Sequence, residues 1–258
     1  MFAKINSAAL NGLKAISVTL EVNAFLTKGG DGTESTFFMV GLPDNAVRES
    51  KQRVLSALAN SAFRLPRMNV TVNLAPADIR KEGSGFDLPL AVGLLKTTDI
   101  VKADRLNEVA FVGELGLDGT IRSVRGALPI AIEARQQGFK ALFVPKANER
   151  EAGVVNHLKV YGVKTLKEVV DALNGNLSLT PVAVNTRADF YAAQTAYPLD
   201  FADVKGQTAA KRAFEVAAAG GHNLMIVGSP GCGKSMMAKR LPSILPQLTL
   251  AESLETTQ

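Results

Sequence analysis

The chain has 258 residues, 47% of them hydrophobic and 21% charged, with a formal net charge of +5 and one cysteine. That length allows one large or two ordinary domains. No apolar run approaches the ~20 residues needed to span a bilayer, and one cysteine excludes an intrachain disulfide and gives no metal cluster. The N-terminus lacks the apolar core of a signal peptide, so a cytoplasmic protein is expected. The positive balance fits an anionic partner such as nucleic acid and an ordinary basic surface about equally.

Ile16, Val18, Leu20 and Val22 alternate with Ser17, Thr19, Glu21 and Asn23, which predicts a half-buried strand over 16–26. Gly29-Gly-Asp-Gly32 is a turn signal, and 36–42 reads as a second strand, so the two are expected to pair as a hairpin. Asp44 is the expected N-cap of a helix carrying Val47, Val54, Leu55 and Leu58 on one face. A third strand spans 69–74. In the loop that follows, Asp87 is expected to cap the next helix, with Pro89 in its first turn. A second hairpin is expected over 109–124 around Leu117-Asp-Gly119. Then come a helix over 128–137 closed by Gly138, a strand over 141–144, a short helix near Asn148, a strand over 157–163, and a helix over 166–173 closed by Asn174-Gly175.

From 176 to 198 no apolar period is sustained, which reads as a linker. Residues 1–175 are therefore expected to form one α/β domain and 199–258 the start of another. In the second, a helix over 208–219 precedes the apolar run Asn223-Leu-Met-Ile-Val227, read as a strand. Gly228-Ser-Pro-Gly-Cys-Gly-Lys-Ser235 follows and fits G-x-x-x-x-G-K-[ST], with a helix over 236–241 after it. Strand, glycine turn and helix are the context this phosphate-binding motif requires. Glycines let backbone N–H groups turn onto an anion, and the helix start adds partial positive charge. Gly228, Ser229, Pro230, Gly231, Cys232, Gly233, Lys234 and Ser235 are thus the expected ATP-binding residues, Lys234 on the β/γ-phosphates and Ser235 on Mg²⁺. No aspartate follows Asp203, so the strand that would carry the hydrolysis carboxylate is missing, and the chain reads as part of a longer protein that is inactive alone. Cys232 is read either as a small filler or as a redox-sensitive thiol at a helix start. His157 and His222 are isolated and suggest no metal site.

Asp203-Val-Lys-Gly-Gln207, Ala217-Ala-Ala-Gly-Gly-His-Asn-Leu224 and the phosphate loop together resemble the start of a AAA+ module of magnesium-chelatase type. Val40-Gly-Leu-Pro43, Val47-Arg-Glu-Ser50, Ile79-Arg-Lys-Glu-Gly83, Phe86-Asp-Leu-Pro89, Gly113-Glu-Leu115 and Arg125-Gly126 extend the likeness to the ComM/YifB family across essentially the whole chain. The resemblance implies an α/β fold: a Lon-protease-like N-terminal domain followed by a AAA+ core, in proteins about twice as long. It also implies Gly206 and Gln207 near the adenine, a hexameric ring, and an ATP-driven DNA motor of helicase or branch-migration type serving natural transformation or recombination. Single-stranded or branched DNA is the implied partner, and no membrane is. The alternatives are a chelatase-type ATPase remodelling a partner enzyme and a non-motor regulatory binding protein.

Lys81-Glu-Gly-Ser-Gly85 looks like the counterpart of the Lon nucleophile loop. Anchored on Gly83, the nucleophile position falls on Gly85, with Ser84 one residue early, and the catalytic lysine position falls near Leu128. A serine without an adjacent base is a weak nucleophile, so no peptidase activity is expected. Arg64, Arg67, Arg80, Lys81, Arg122 and Arg125 are read either as a phosphate-tracking face or as scattered solvated charges, and Arg80, Lys81, Arg122 and Arg125 are the DNA candidates. With no tryptophan and three tyrosines, no aromatic platform for single strands is expected.

Overall fold

The computed structural model describes residues 1–27, 36–184, 198–249 and 252. The chain divides into two compact units, Met1–Val184 and Asn185–Thr257. The first is built on a seven-stranded mixed sheet of order β3-β4-β2-β1-β5-β8-β9. The strands are β1 (Phe2–Asn11), β2 (Lys14–Leu26), β3 (Phe37–Val40), β4 (Met68–Ala75), β5 (Val109–Phe111), β8 (Ala141–Pro145) and β9 (Lys159–Val163). β2 runs antiparallel to β1 and β4, and the other neighbours are parallel.

The central strand β1 escapes the sequence reading. The 16–26 strand pairs not with its successor, as expected, but with β1 and β4. β3 is instead parallel to β4, because α1 (Asn45–Asn60) carries the chain back across the sheet between them. The expected turn at Gly29–Gly32 lies outside the described residues. The second hairpin is shorter than expected. β5 joins the main sheet, and only β6 (Glu114–Leu115) and β7 (Ile121–Arg122) pair around the turn, where Gly119 takes φ +83°. His157, expected to open β9, sits before it with φ +64°.

Two apolar cores lie on opposite faces of the sheet. α1, α2 (Asp87–Thr97) and α5 (Leu166–Leu173) pack on one face, over Ile5, Leu20, Val22, Val72, Phe111 and Phe143. α3 (Ala127–Gln136) and α4 (Glu149–Ala152) cover the Ala8, Ala110, Leu142 and Val160 side of the other. Asp44 caps α1 as expected, its carboxylate accepting from Val47 N at 2.7 Å. Asp87 does not cap α2. It is the first helical residue, fully buried, and its carboxylate accepts from Arg53 Nε and Nη2 at 2.7 and 2.9 Å and from Leu115 N at 3.1 Å. The expected linker begins inside this unit, where Val182 N donates to Val160 O.

The second unit holds α6 (Thr208–Gly220) and α7 (Lys234–Arg240), joined by a small core of Phe201, Val204, Phe214 and Met237. The expected strand over 223–227 does not form. Met225 and Val227 are 85% and 80% exposed, and among the described residues this unit has no other strand to complete a ladder.

Candidate functional site

The phosphate loop connects the extended 223–227 segment to α7. Gly231 and Gly233 adopt φ +83° and +87°, a region closed to most side chains, and Gly233 forms the N-cap. A Cβ on Gly228 would lie 2.9 Å from Cys232 Sγ, so a side chain there would have to push the Cys232 thiol aside. The Lys234 amine lies over the loop, donating to Gly228 O at 2.8 Å and Ser229 O at 2.7 Å, with Cys232 Sγ at 3.6 Å. The Ser235 hydroxyl is exposed and makes no hydrogen bond among the described residues. These groups fit a magnesium nucleotide: a glycine turn, an amine aimed at the turn, and a free hydroxyl at the helix start.

Gly206 and Gln207 are both left-handed, with φ +65° and +52°, and lead into α6. Val204 and Met237 share the unit's core, Phe201 N donates to Ser243 Oγ at 2.9 Å, and Arg240 pairs with Asp203 at 3.3 Å. The 200–207 segment is thereby tied to the helix that ends the phosphate loop.

The first unit carries a cleft of about 520 Å³ at the carboxyl ends of β1 and β5, lined in part by Asp44, Ser84, Glu114 and Arg125. Ser84 Oγ donates to Glu114 Oε2 in a short hydrogen bond. Among the described residues no lysine hydrogen-bonds to the serine. Lys81 is wholly buried, and its amine donates to the carbonyls of Pro76 and Ile79. That burial lowers the Lys81 pKa. Leu128 is a buried core residue of α3.

A family model described as "Subunit ChlI of Mg-chelatase" matches residues 27–148, and one described as "Magnesium chelatase, subunit ChlI" matches residues 200–258. The competence protein ComM of Haemophilus influenzae is 43% identical over 98% of this chain and 48% of its own length. The YifB protein of Escherichia coli is 40% identical over 98% and 47%. The chain belongs to the ComM/YifB family. It spans about half the length of these curated relatives. Lon protease 2 of Bacillus subtilis is similar at 26% identity over 48% of the chain and 22% of its own length. The mixed α/β fold combines a Lon-like first unit with the AAA+-type beginning of a second. No described helix is long and apolar enough to cross a membrane.

Within this ComM/YifB chain the four DNA candidates do not form one free basic face. Arg80 is exposed and paired with Glu82 at 3.3 Å, and Arg122 is exposed and 3.6 Å from Glu114. Arg125 lines the cleft, with no ion pair among the described residues. Lys81 is excluded from any such face because its amine is turned inward onto two carbonyls. Arg64 and Arg67 are exposed in the segment entering β4. Two features escaped the sequence reading. The Arg53–Asp87 pair joins residues 34 apart in the chain, and nothing local marks it. The Ser84–Glu114 bond was signalled only by the two motifs that contain its partners.

Proposed function

We propose that the protein binds and hydrolyses ATP as a AAA+ motor acting on DNA, single-stranded or branched, within an oligomeric ring. The observation that carries the nucleotide part is the loop at 228–235, with two left-handed glycines and the Lys234 amine folded onto its carbonyls. On nucleotide binding Lys234 would leave those carbonyls for the β/γ-phosphates, while the loop N–H groups and the start of α7 face the same charge. Ser235 would hold Mg²⁺, which neutralises phosphate charge when bound. Gly206 and Gln207 are the candidates for the adenine side. The DNA part rests on kinship with a competence protein and on the net charge of +5.

The family models named for magnesium chelatase favour one other reading, a ATPase that remodels a protein partner. ATP turnover by the intact protein, with and without single-stranded and branched DNA, separates the two. A DNA motor is stimulated by DNA, and Lys234→Ala abolishes the turnover. Turnover indifferent to DNA would transfer the assignment to protein remodelling. Turnover surviving Lys234→Ala would refute the role of the loop. The Ser84 loop is proposed to be non-catalytic, and steady ATP-independent cleavage of casein would overturn that.

A further inference from the structure

The sheet of the first unit is covered unevenly. α1 and α2 lie across one face of β3-β4-β2-β1, whereas α3 reaches the other face only at the Ala8 and Ala15 end of the β1–β2 hairpin. Among the described residues of this unit, nothing covers the remainder of that second face. Three phenylalanines that are far apart in sequence are presented there. Phe2 pairs with Asn23, Asn23 with Thr71, and Thr71 with Phe38, so Phe2 and Phe38 stand in one row across four strands. Phe25, opposite Asn69, stands one diagonal step from Phe2 on the neighbouring strand, about 7–8 Å away for such a pair. The three rings are 59%, 60% and 61% exposed. Solvated surfaces carry single apolar residues commonly, but three aromatic rings aligned on one open sheet face mark a binding surface.

We propose that this face is a stacking platform for single-stranded nucleic acid, with bases on Phe2, Phe25 and Phe38. The proposal rests on the DNA-motor reading and deepens it. The occupant follows from the residues between the rings. Asn23 and Thr71 lie there, and among the described residues their side chains make no hydrogen bond, so both can meet base edges. Lys4 and Glu21 neutralise one another on the face, so the charge left to meet a phosphate backbone is Arg67 at its edge. Lys4 is on the face, its ammonium 5.9 Å from the Phe2 ring centroid, and Arg67, exposed and without an ion pair among the described residues, stands at the end of β4. Glu21, the one described carboxylate on the face, is already held by Lys4 at 3.1 Å and by the Asn73 amide at 3.0 Å. An open sheet with helices behind it and aromatic rings in front is the arrangement by which small sheet domains stack two or three bases of a single strand. The absence of tryptophan had argued against such a platform, but strand register assembles from phenylalanine what composition alone does not reveal.

The test is fluorescence anisotropy of a labelled oligothymidylate titrated with the intact protein without nucleotide, against a duplex control. Each Phe→Ala change is expected to weaken single-strand binding roughly 5- to 100-fold, the range for loss of one stacked base. Phe→Leu at the same positions, which keeps apolar bulk and removes the π-face, is expected to weaken it nearly as much. Arg67→Ala is expected to lower the slope of log affinity against log salt by about 0.7. Wild-type affinity in the Phe2→Ala, Phe25→Ala, Phe38→Ala triple variant would overturn the platform while leaving the motor reading intact. So would leucine variants that bind normally beside alanine variants that do not, or a triple variant altered only in its oligomeric state, since both describe an apolar protein contact. A wild-type protein that ignores the oligonucleotide also overturns it, and only DNA-indifferent turnover would then remove the motor reading as well.

Discussion

Replacing Asp87 by alanine removes a carboxylate that is fully buried at the junction of α1, α2 and β6. It accepts two bonds from Arg53 and one from Leu115 N. Deleting one partner of a buried pair costs about 3–5 kcal/mol, because the other charge is left uncompensated. Arg53 is 22% exposed and keeps its bond to Ala46 O, so water and that carbonyl recover part of the loss, and about 3 kcal/mol is expected. For a unit of this size that corresponds to roughly 6–12 °C in Tm. Arg53→Met with Asp87→Asn removes both charges, holds the space and keeps an acceptor for Leu115 N, and is expected to lie within about 1 kcal/mol of wild type. Urea unfolding of wild type, both single variants and the double variant, followed by circular dichroism, gives the coupling directly. A cost below about 1 kcal/mol for Asp87→Ala, or a double variant as unstable as the single, would refute the reasoning. The pH dependence is opposite to that of an ordinary ion pair. Burial outweighs the bonds from Arg53 and Leu115 and raises the Asp87 pKa above its ordinary value of 3.8. A raised acid stabilises below its unfolded pKa and loses that contribution as pH rises through its folded one, so Asp87→Asn should not protect against acid.

Glu21 behaves the other way. The Asn73 amide and the Lys4 ammonium lower its pKa below 4.5, so its contribution is present above that value and is lost as pH falls through the folded pKa. Glu21→Gln is expected to flatten stability on the acid side, and an unchanged acid limb in urea titrations from pH 6 to pH 3 (roughly the carboxylate range) would contradict this. Gly41 takes φ +96°, and a Cβ there would meet Leu74 O at 2.2 Å, whereas Gly12, at φ +64°, has nothing within 4 Å. Gly41→Ala should therefore cost about 2–3 kcal/mol and Gly12→Ala about 1 kcal/mol by thermal unfolding, and equal costs would show that the close approach at Gly41 is relieved by backbone shift.

Local signals were legible in the sequence and tertiary ones were not. The phosphate loop could be read complete because its chemistry lies in eight consecutive residues. The Asp44 cap, the left-handed Gly138 and the alternating strands β2 and β4 were legible for the same reason. β1 was not: its burial alternates from Phe2 to Ser7, but an exposed Phe2 and a buried Ser7 invert the apolar–polar pattern, and Ala8 and Ala9 are then both buried, one in each core. Asp87 looks like a helix cap to any local rule, and only the fold brings Arg53 beside it. Strand 223–227 has strand composition but lacks a described partner, and a β-ladder is a property of two strands.

The same contrast explains how a Lon-like loop remains ordered where the resemblance places no catalytic pair. Its polar groups are turned into the protein. The Lys81 amine closes on Pro76 and Ile79, Asp44 accepts from Gly83 N at 3.2 Å, Ser84 donates to Glu114, and Gly113 N donates to Gly85 O at 2.9 Å. Two residues further on, Asp87 anchors Arg53 of α1 and the backbone of β6. The loop therefore joins α1, α2 and the β6–β7 hairpin, and substitutions within it are constrained by stability whether or not it ever touches a substrate. Ser84 in this setting is a hydroxyl that donates to Glu114 at the edge of a cleft.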